Sequence, residues 1–388
     1  MEDEFSGDGR VLQVMQQYFA TVARGVEEIA ANELTALGAQ DVRPDYCGVY
    51  FSGDRRLLYK VNLWSRLAFR ILVQIKKIKA FTVKELYSGV QSIDWSAYLS
   101  PNQTIAVNST GTNKKLNHTH FNALQVKNAI IDQQREQFGD RSNIDTEDPD
   151  VLINAHIHDN RCIISLDSSG HSLHRRGYRP AMGKAPLKEN FAAALLDLAE
   201  WTPDLPLVDP LCGSGTFVIE AALKSMNFAP GLFQGDFGFQ HWQDFDAALW
   251  QELLNEAEYA AKDTIQQPII GQDRDQEVIQ QAWTNAENCG VAEQIKLACR
   301  TLEEVEAPAD YGIVICNPPY GMRIGGDEDL ALLYKTIGDM FKQRFKGWTG
   351  YILTGNSELA KKVGLKASRR LVVYNGGIEC RLLKYDLY

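Results

Sequence analysis

Two short polar motifs, each directly after an apolar run, contain the residues of this sequence that are best suited to chemistry. The first is Asp-Pro-Leu-Cys-Gly-Ser-Gly-Thr over 209–216, and the second is Asn-Pro-Pro-Tyr over 317–320. Apolar runs that end in turn residues are typical of buried strands in a parallel sheet, which binds ligands at the carboxyl ends of its strands. We therefore expect both motifs to open into one crevice. The reaction they predict is methyl transfer from S-adenosylmethionine (SAM) to an exocyclic amino group of a nucleobase.

The glycine-rich motif is suited to the amino-acid end of SAM. Glycines allow the backbone to turn tightly and to approach a ligand, and the following helix presents free amides to an anion such as the methionine carboxylate. No Gly-x-Gly-x-x-Gly and no Gly-Lys-Ser/Thr follows, which disfavours a dinucleotide or P-loop site. An ordinary strand-to-helix turn is the alternative. The predicted cofactor residues in this motif are Asp209, Pro210, Cys212, Gly213, Ser214, Gly215 and Thr216.

A second apolar run, 268–271, ends in Gln-Asp-Arg-Asp over 272–275. An acid at such a strand end can accept hydrogen bonds from both ribose hydroxyls, and we predict this role for Asp273. Asp275 is predicted to cap the next helix. The alternative is that both acids are caps or surface residues.

The Asn-Pro-Pro-Tyr motif indicates that the target is an aromatic amine. The lone pair of such an amine is conjugated into the ring, so the nitrogen is a poor nucleophile. Two acceptors, the Asn317 side-chain oxygen and the Pro318 carbonyl, can bind the amino hydrogens and hold the nitrogen in line with the methyl group. Proline stiffens the loop, and Tyr320 offers a face to a base that has left its stack. The predicted catalytic residues are Asn317, Pro318, Pro319 and Tyr320.

The C-terminal half resembles the amino-directed nucleic-acid methyltransferases with an (Asp/Asn)-Pro-Pro-(Tyr/Phe) signature. The two motifs, extended to Asn-Pro-Pro-Tyr-Gly-Met-Arg over 317–323, together with Asn-Gly-Gly-Ile-Glu-Cys over 375–380, more closely resemble the bacterial 23S rRNA guanine-N2 methyltransferases of the RlmL type. The similarity covers essentially the whole chain, but only the first half of the longer fused enzymes.

In that family, stretches similar to 176–179 and 185–190 help to close the cofactor site, which implies a cofactor contact for Asn190. One departure is Arg300-Thr301 after the apolar run 295–299, where related enzymes carry an acid near the SAM adenine. The residues that contact the adenine are therefore not assigned.

The resemblance implies a SAM-dependent RNA methyltransferase that modifies the exocyclic N2 amine of a guanosine in 23S rRNA or in a ribosome-assembly intermediate. A tRNA guanine-N2 methyltransferase is an alternative, and a DNA adenine or cytosine methyltransferase is less favoured. A non-catalytic RNA-binding ribosome-assembly factor with a methyltransferase fold is a further alternative. The modified guanosine and the oligomeric state stay open.

The expected fold class is α/β, with a C-terminal Rossmann-like SAM-dependent methyltransferase domain over 187–388. Its sheet is expected to be mostly parallel, with an antiparallel C-terminal hairpin at the Asn-Gly-Gly turn. The pattern of the first half supports only an α+β structure. Resemblance, which includes the stretch 85–95, divides it into a ferredoxin-like module over 1–70 and a THUMP RNA-binding domain over 71–170. A linker rich in Gly, Pro and Arg is predicted over 171–186.

Composition excludes several other classes of protein. The chain has 388 residues, 45% of them hydrophobic, without an apolar run of 18 residues that predicts a membrane span. The acidic start, Met1–Phe5, lacks a signal-peptide pattern. Seven scattered cysteines without Cys-x-x-Cys pairs indicate a reduced cytosol and disfavour zinc, so we expect a cytoplasmic protein without a metal.

The net charge of −10 is unevenly distributed along the chain. Residues 1–184 hold 22 Lys/Arg and 21 Asp/Glu, and the stretch 55–84 contains nine basic residues and no acid. Aromatic residues interleave with these cations, as expected for a surface that contacts RNA phosphates, although a solvated helix and strand edge is the alternative. The candidate RNA contacts are Arg55, Arg56, Lys76, Lys77, Arg175 and Arg176.

Overall fold

The computed structural model describes residues 15–179, 187–320 and 327–388. The acidic start of the chain, residues 185 and 186 of the cofactor-closing stretch, and the Gly-Met-Arg extension at 321–323 lie outside the described residues. Within these ranges the chain forms two sheets with helices packed on them.

The N-terminal half forms one mixed sheet with the strand order β2-β3-β1-β4-β8-β7-β5-β6. Its strands are β1 (Gln16–Thr21), β2 (Gln40–Asp45), β3 (Gly48–Gly53), β4 (Arg70–Lys79), β5 (Thr104–Thr110), β6 (Asn143–Ile144), β7 (Val151–His158) and β8 (Arg161–Asp167). Its helices are α1 (Glu27–Leu37), α2 (Arg55–Trp64), α3 (Val83–Gln91) and α4 (Thr119–Phe138).

Strand β4 joins the two modules predicted in this half. Its first residues pair with β1, and from Leu72 onward it pairs with β8, so the hydrogen-bonded ladder is continuous across the predicted boundary at residue 70. The basic stretch 55–84 therefore covers α2 and β4. Both elements place apolar side chains in the core, for example Leu58 of α2 and Ile71 of β4, while Lys76 and Lys77 of β4 are exposed.

The C-terminal half forms a seven-stranded sheet with the order β11-β10-β9-β12-β13-β15-β14. Its strands are β9 (Leu207–Asp209), β10 (Ile269–Asp273), β11 (Lys296–Cys299), β12 (Ile313–Cys316), β13 (Thr349–Thr354), β14 (Arg369–Asn375) and β15 (Ile378–Asp386). Its helices are α5 (Glu189–Leu198), α6 (Thr216–Ser225), α7 (Ala247–Ala260), α8 (Gln276–Asn288), α9 (Asp327–Arg344) and α10 (Ser357–Lys362). The strands from β9 to β13 are parallel, and β14 and β15 form the antiparallel hairpin, so the predicted fold class is confirmed.

A buried ion pair connects the two halves. The Arg176 guanidinium donates from Nε to Glu220 Oε1 at 2.9 Å and from Nη2 to Glu220 Oε2 at 3.1 Å, and the Tyr178 hydroxyl donates to the same carboxylate at 3.2 Å. Arg176 also donates to the Arg66 backbone carbonyl at 2.8 Å. Because its side chain is only 1% exposed, Arg176 cannot contact RNA, and that prediction is wrong. The described part of the predicted linker is thus packed between the two halves.

Exposed ion pairs connect the same halves at a second place. Arg55 pairs with Asp244 at 2.6 Å, and Arg56 pairs with Glu252 at 3.0 Å and Glu256 at 2.5 Å. These acids lie on α7 or just before it. They occupy the two guanidinium groups, so RNA phosphates would have to displace these carboxylates. RNA contact by Arg55 and Arg56 stays a prediction.

In the parts of the chain that the structure describes, no helix has the length and apolarity needed to cross a membrane. Over the same ranges, no three His, Cys, Asp or Glu side chains are grouped so that they could bind a metal ion.

We expect Arg176→Ala to lower the free energy of unfolding by about 3–5 kcal/mol, because the buried Glu220 carboxylate would lose its compensating charge. Arg175→Ala is the matched control, since Arg175 is its exposed neighbour and should change stability by less than about 0.5 kcal/mol. Urea unfolding followed by circular dichroism measures both variants. Equal midpoints for the two variants would contradict the role assigned to the ion pair.

Candidate active site

Three adjacent parallel strands end at the same edge of the C-terminal sheet. β9 lies between β10 and β12, with Gly271 opposite Asp209 and Val314 opposite Val208. Parallel pairing therefore brings the glycine-rich motif, the acid that ends β10 and the Asn-Pro-Pro-Tyr motif to one edge of the sheet, where ligands of such sheets bind.

The glycine-rich turn depends on left-handed backbone at two positions. Gly213 has φ +54° and Gly215 has φ +85°, a region that other residues rarely adopt. A Cβ added at Gly215 would lie 3.2 Å from the Ala282 side chain, so this glycine also lets α6 and α8 pack closely. A Cβ added at Gly213 would meet no described atom within 4 Å, which leaves the backbone of the turn open on that side.

Asp273 holds this turn in place. Its Oδ2 accepts the Gly213 N–H at 3.1 Å, while its Oδ1 accepts the Asp275 N–H at 3.1 Å. Asp273 is half-buried at the end of β10. Asp275 accepts the amides of Glu277 and Val278 at the start of α8, so its predicted role as a helix cap is confirmed.

Asp209 lies beneath the turn and is 2% exposed. Its Oδ1 accepts the Leu211 N–H at 3.1 Å. Burial raises the pKa of the Asp209 carboxyl well above its ordinary value, and the nearby Asp273 carboxylate adds to this shift. Asp209 therefore forms the floor of the site, and Asp273 lies at its accessible rim.

The remaining predicted cofactor residues are held mainly by the protein itself. The Cys212 N–H donates to the Gln272 carbonyl at 2.8 Å, and burial raises the pKa of the Cys212 thiol. The Ser214 carbonyl accepts the Asn285 amide at 3.1 Å, and the Thr216 hydroxyl accepts a hydrogen bond from Arg179. These contacts shape the turn, and Pro210 is buried beside it.

Asn190 reaches from α5 to the N-terminal half. Its amide nitrogen donates to the Leu67 carbonyl at 3.1 Å, and its buried Oδ1 has no hydrogen-bond partner among the described residues. Asn190 is 1% exposed, and its described hydrogen bond is to the protein itself. Its contact with the cofactor stays a prediction.

The Asn317 side-chain oxygen is a buried acceptor without a partner among the described residues. Such a group costs about 1–3 kcal/mol of desolvation unless a donor is supplied. Asn317 follows β12, and Pro318 beside it is buried. The residue itself is half-buried, so an amino group that displaces a neighbouring group from the oxygen would supply the missing donor.

Tyr320 is fixed by contacts that the sequence analysis did not identify. Its hydroxyl accepts a hydrogen bond from Asn375 Nδ2 at 3.0 Å and lies 3.6 Å from Cys380 Sγ. A Cβ added at Gly355 would lie 3.0 Å from the ring, so a larger residue there would require the ring to shift by a few tenths of an ångström. Burial raises the pKa of Tyr320 to about 12, which keeps the phenol neutral. The Asn-Gly-Gly cluster at 375–377 is the available signal in the sequence, but a hairpin turn and a family motif do not by themselves predict a hydrogen bond to Tyr320.

Arg300 and Thr301, which stand where related enzymes carry an acid, lie next to Asp273. The Arg300 N–H donates to the Asp273 backbone carbonyl at 2.9 Å, and the Thr301 N–H donates to Glu304 at 2.9 Å.

Among the other candidate RNA contacts, Lys76 donates to the Ser92 carbonyl at 2.8 Å, while Lys77 and Arg175 are exposed.

The fold and the site together define a Rossmann-like methyltransferase preceded by two smaller modules. The model of the RMKL-like methyltransferase domain matches residues 176–384, the THUMP domain matches 80–167 and the RlmL ferredoxin-like domain matches 17–72. The chain therefore belongs to the RMKL-like methyltransferase family, and the resemblance found in the sequence is confirmed.

Similar proteins extend this assignment over nearly the whole chain. A Synechocystis protein, provisionally named an RNA methyltransferase, is 57% identical over 96% of this chain and 97% of its own. A Methylococcus capsulatus protein named ribosomal RNA large subunit methyltransferase K/L is 41% identical over 97% of this chain and 52% of its own, so this chain spans about half of that relative. A crystal structure of a provisionally assigned methyltransferase complexed with SAH (S-adenosylhomocysteine) is 34% identical, with a TM-score of 0.87 over 96% of this chain and 98% of that chain.

We expect Asp273→Ala to weaken binding of SAH by about 10- to 150-fold, because it removes a charged acceptor at the rim of the site and releases the Gly213 amide. Asp275→Ala is the matched control. It removes a helix cap worth about 1 kcal/mol of stability but should leave the affinity for SAH unchanged. Isothermal titration calorimetry measures both variants, and an Asp273→Ala affinity equal to that of the wild type would exclude Asp273 from the site.

Proposed function

We propose that this protein transfers a methyl group to the exocyclic N2 amine of a guanosine in 23S rRNA. The observation that carries the proposal is the buried, unpartnered side-chain oxygen of Asn317 beside the half-buried Tyr320 ring. An acceptor in this setting is suited to an N–H donor that arrives with the substrate.

SAM is the cofactor, and when bound it supplies an electrophilic methyl group on a sulfonium ion. The residues of the crevice fit this molecule. The glycine turn offers open backbone at Gly213, and the Asp273 carboxylate at the end of β10 is suited to the ribose hydroxyls. The start of α6, directly after the turn, favours the carboxylate of an amino acid.

The Asn-Pro-Pro-Tyr motif orients the amine. The Asn317 oxygen and the Pro318 carbonyl accept its two hydrogens, so that the nitrogen lone pair is directed away from the ring and positive charge on the nitrogen is stabilised as it develops. Because the neutral amine is the nucleophile, no strong base is required before transfer. The nitrogen would gain the methyl group and then lose one of its two original hydrogens as a proton to water, so the products would be SAH and a neutral secondary amine. Tyr320 has its pKa raised to about 12 and stays neutral, so its part is to present a ring face to the base.

RNA is favoured as the substrate class because a THUMP domain precedes the methyltransferase domain and because the curated relatives are named RNA or ribosomal RNA methyltransferases. One similar structure, from Listeria monocytogenes and 32% identical, is instead named an N6-adenine-specific DNA methylase, so the test below includes DNA. The choice of N2 of guanine in 23S rRNA rests on the motif chemistry and on the family resemblance. The K/L relatives are about twice as long as this chain, so their complete activity is not carried over.

The proposal is tested by incubating the protein and labelled SAM with unmethylated 23S rRNA, tRNA and DNA, followed by mass spectrometry of the nucleosides. N2-methylguanosine in 23S rRNA is the expected product. Label in tRNA or DNA alone, or in another base, would reject the proposed substrate, and an inert wild type would favour the non-catalytic alternative.

Asn317→Ala should lower the single-turnover rate by about two to three orders of magnitude, by analogy with the loss of one preorganised polar group at a reacting centre. Binding of SAH should be unchanged, since the variant leaves the glycine turn and Asp273 intact. Rapid-quench transfer of labelled methyl to rRNA measures the rate. A wild-type rate for this variant would rule out the amine-directed mechanism.

Tyr320 offers a comparison in which the ring and the hydroxyl are removed separately. Tyr320→Ala should cost about 1–3 kcal/mol of substrate binding through lost stacking. Tyr320→Phe keeps the ring and removes only the acceptor for Asn375, so its affinity for rRNA should stay close to that of the wild type. Equal losses in the two variants would contradict a stacking role and would indicate a role for the hydroxyl.

A further inference from the structure

A cavity of about 370 Å³ lies where the N-terminal half meets the β14–β15 hairpin. The N-terminal half contributes the β1–α1 and β2–β3 turns, with Arg24 and Tyr46, and also Phe69 after α2. Lys188 at the start of α5 and the hairpin turn 374–377 complete the wall. Lys188 belongs to the stretch 185–190, which is implied to help close the cofactor site, but neither the family matches nor the sequence motifs assign a ligand to the cavity as a whole.

Direct backbone contact holds the two walls together. The Tyr374 N–H donates to the Arg24 carbonyl at 3.1 Å. Gly25, with φ +91°, lies so close to the hairpin that an added Cβ would be 2.7 Å from the Val372 carbonyl oxygen. These backbone contacts fix the two walls of the cavity relative to each other, so its shape is set by the backbone as well as by long side chains.

The cavity combines positive charge with aromatic rings. The Arg24 guanidinium lies 4.0 Å from the centre of the Tyr374 ring and 5.5 Å from that of Tyr46, and the Lys188 ammonium lies 4.9 Å from that of Phe69. Among the described residues, no acid forms an ion pair with either cation. The Tyr46 residue is 71% exposed, which leaves ring surface open to a ligand. Cations beside exposed rings are the combination that binds single-stranded nucleic acid, through phosphates and stacked bases.

One side chain connects the cavity to the candidate active site. Asn375 lines the cavity, and its amide donates at 3.0 Å to the hydroxyl of Tyr320, on which the target base is proposed to stack. A nucleotide in the cavity would thus be close to the target base along the same strand.

We propose that this cavity binds a nucleotide next to the target guanosine, with its base on Tyr46 and its phosphates at Arg24 and Lys188. The identity of the target base rests on the proposed function, but the ligand class, single-stranded RNA, is argued from the cavity itself. In this arrangement the ferredoxin-like module takes a direct part in substrate binding.

The test uses the full-length protein with saturating SAH and a fluorescently labelled single-stranded RNA oligonucleotide, with affinity measured by anisotropy. Tyr46→Ala should weaken binding by about 5- to 150-fold, whereas Tyr46→Phe should keep the wild-type affinity. Combined Arg24→Ala and Lys188→Ala should reduce the slope of log affinity against log salt by about 1.4, since two phosphate contacts are lost.

Arg43→Ala is the matched control for the charged residues. Arg43 lies over the Tyr50 ring at 4.7 Å and pairs with Asp45 at 3.6 Å, on the same module but outside the cavity lining. Its removal takes away one cation and one cation–aromatic contact, yet it should leave RNA affinity and the salt slope unchanged. An unchanged affinity for SAH in the Tyr46 and Arg43 variants verifies that these changes leave the cofactor site intact. SAH is kept saturating for the variant without Lys188, because the stretch 185–190 is implied to help close that site.

The outcomes separate this inference from the proposed function. If the cavity variants bind RNA as tightly as the wild type while the wild type methylates 23S rRNA, the inference is overturned and the proposed function stands. If affinity falls as expected but the wild type methylates no guanosine, the inference stands and the proposed function fails. An equal loss of affinity for double-stranded DNA would contradict the inference, since the cavity would then act only as general positive charge.

Discussion

The parallel pairing of β9 with β10 and β12 is the constraint on which the site depends. It brings Asp209, Asp273 and Asn317, which are distant in the chain, to one edge of the sheet, where they lie at or just beyond strand ends. Each then has a separate environment. Asp209 is buried with its pKa raised, Asp273 holds the glycine turn at the rim, and Asn317 keeps a buried oxygen without a partner among the described residues.

An ion pair and hydrogen bonds fix the position of the N-terminal half relative to the C-terminal half. Arg176 is buried with Glu220 on α6, the helix that starts at the glycine turn, and it also binds the Arg66 carbonyl in the N-terminal half. One ion pair therefore links the cofactor turn to the RNA-directed modules. At the other side of the junction, Arg24 and Tyr374 join the first module to the hairpin that fixes Tyr320 through Asn375. The N-terminal half thus has a defined orientation towards the crevice.

The fold class and the two motifs could be predicted because they depend on local patterns, namely apolar runs followed by glycine, proline or acidic turns. The partners of charged side chains could not be predicted, since pairing is decided by tertiary packing. Arg176 is a residue type that often contacts RNA, but it is buried in an ion pair. Arg55 and Arg56 pair with acids that are nearly 200 residues away in the chain. Asn375 was visible as a turn residue, but its hydrogen bond to Tyr320 requires the register of β14 and β15.

We propose that the described site directs a methyl group to the N2 amine of guanine. The most direct measurement replaces guanosine by inosine in an unmethylated 23S rRNA transcript, which removes only that amine, and follows single-turnover transfer of labelled methyl. We expect the inosine transcript to compete with the normal one for binding but to accept no label. Methylation of the inosine transcript at the rate of the guanosine transcript would exclude N2 as the acceptor, because the methyl group would then have another acceptor.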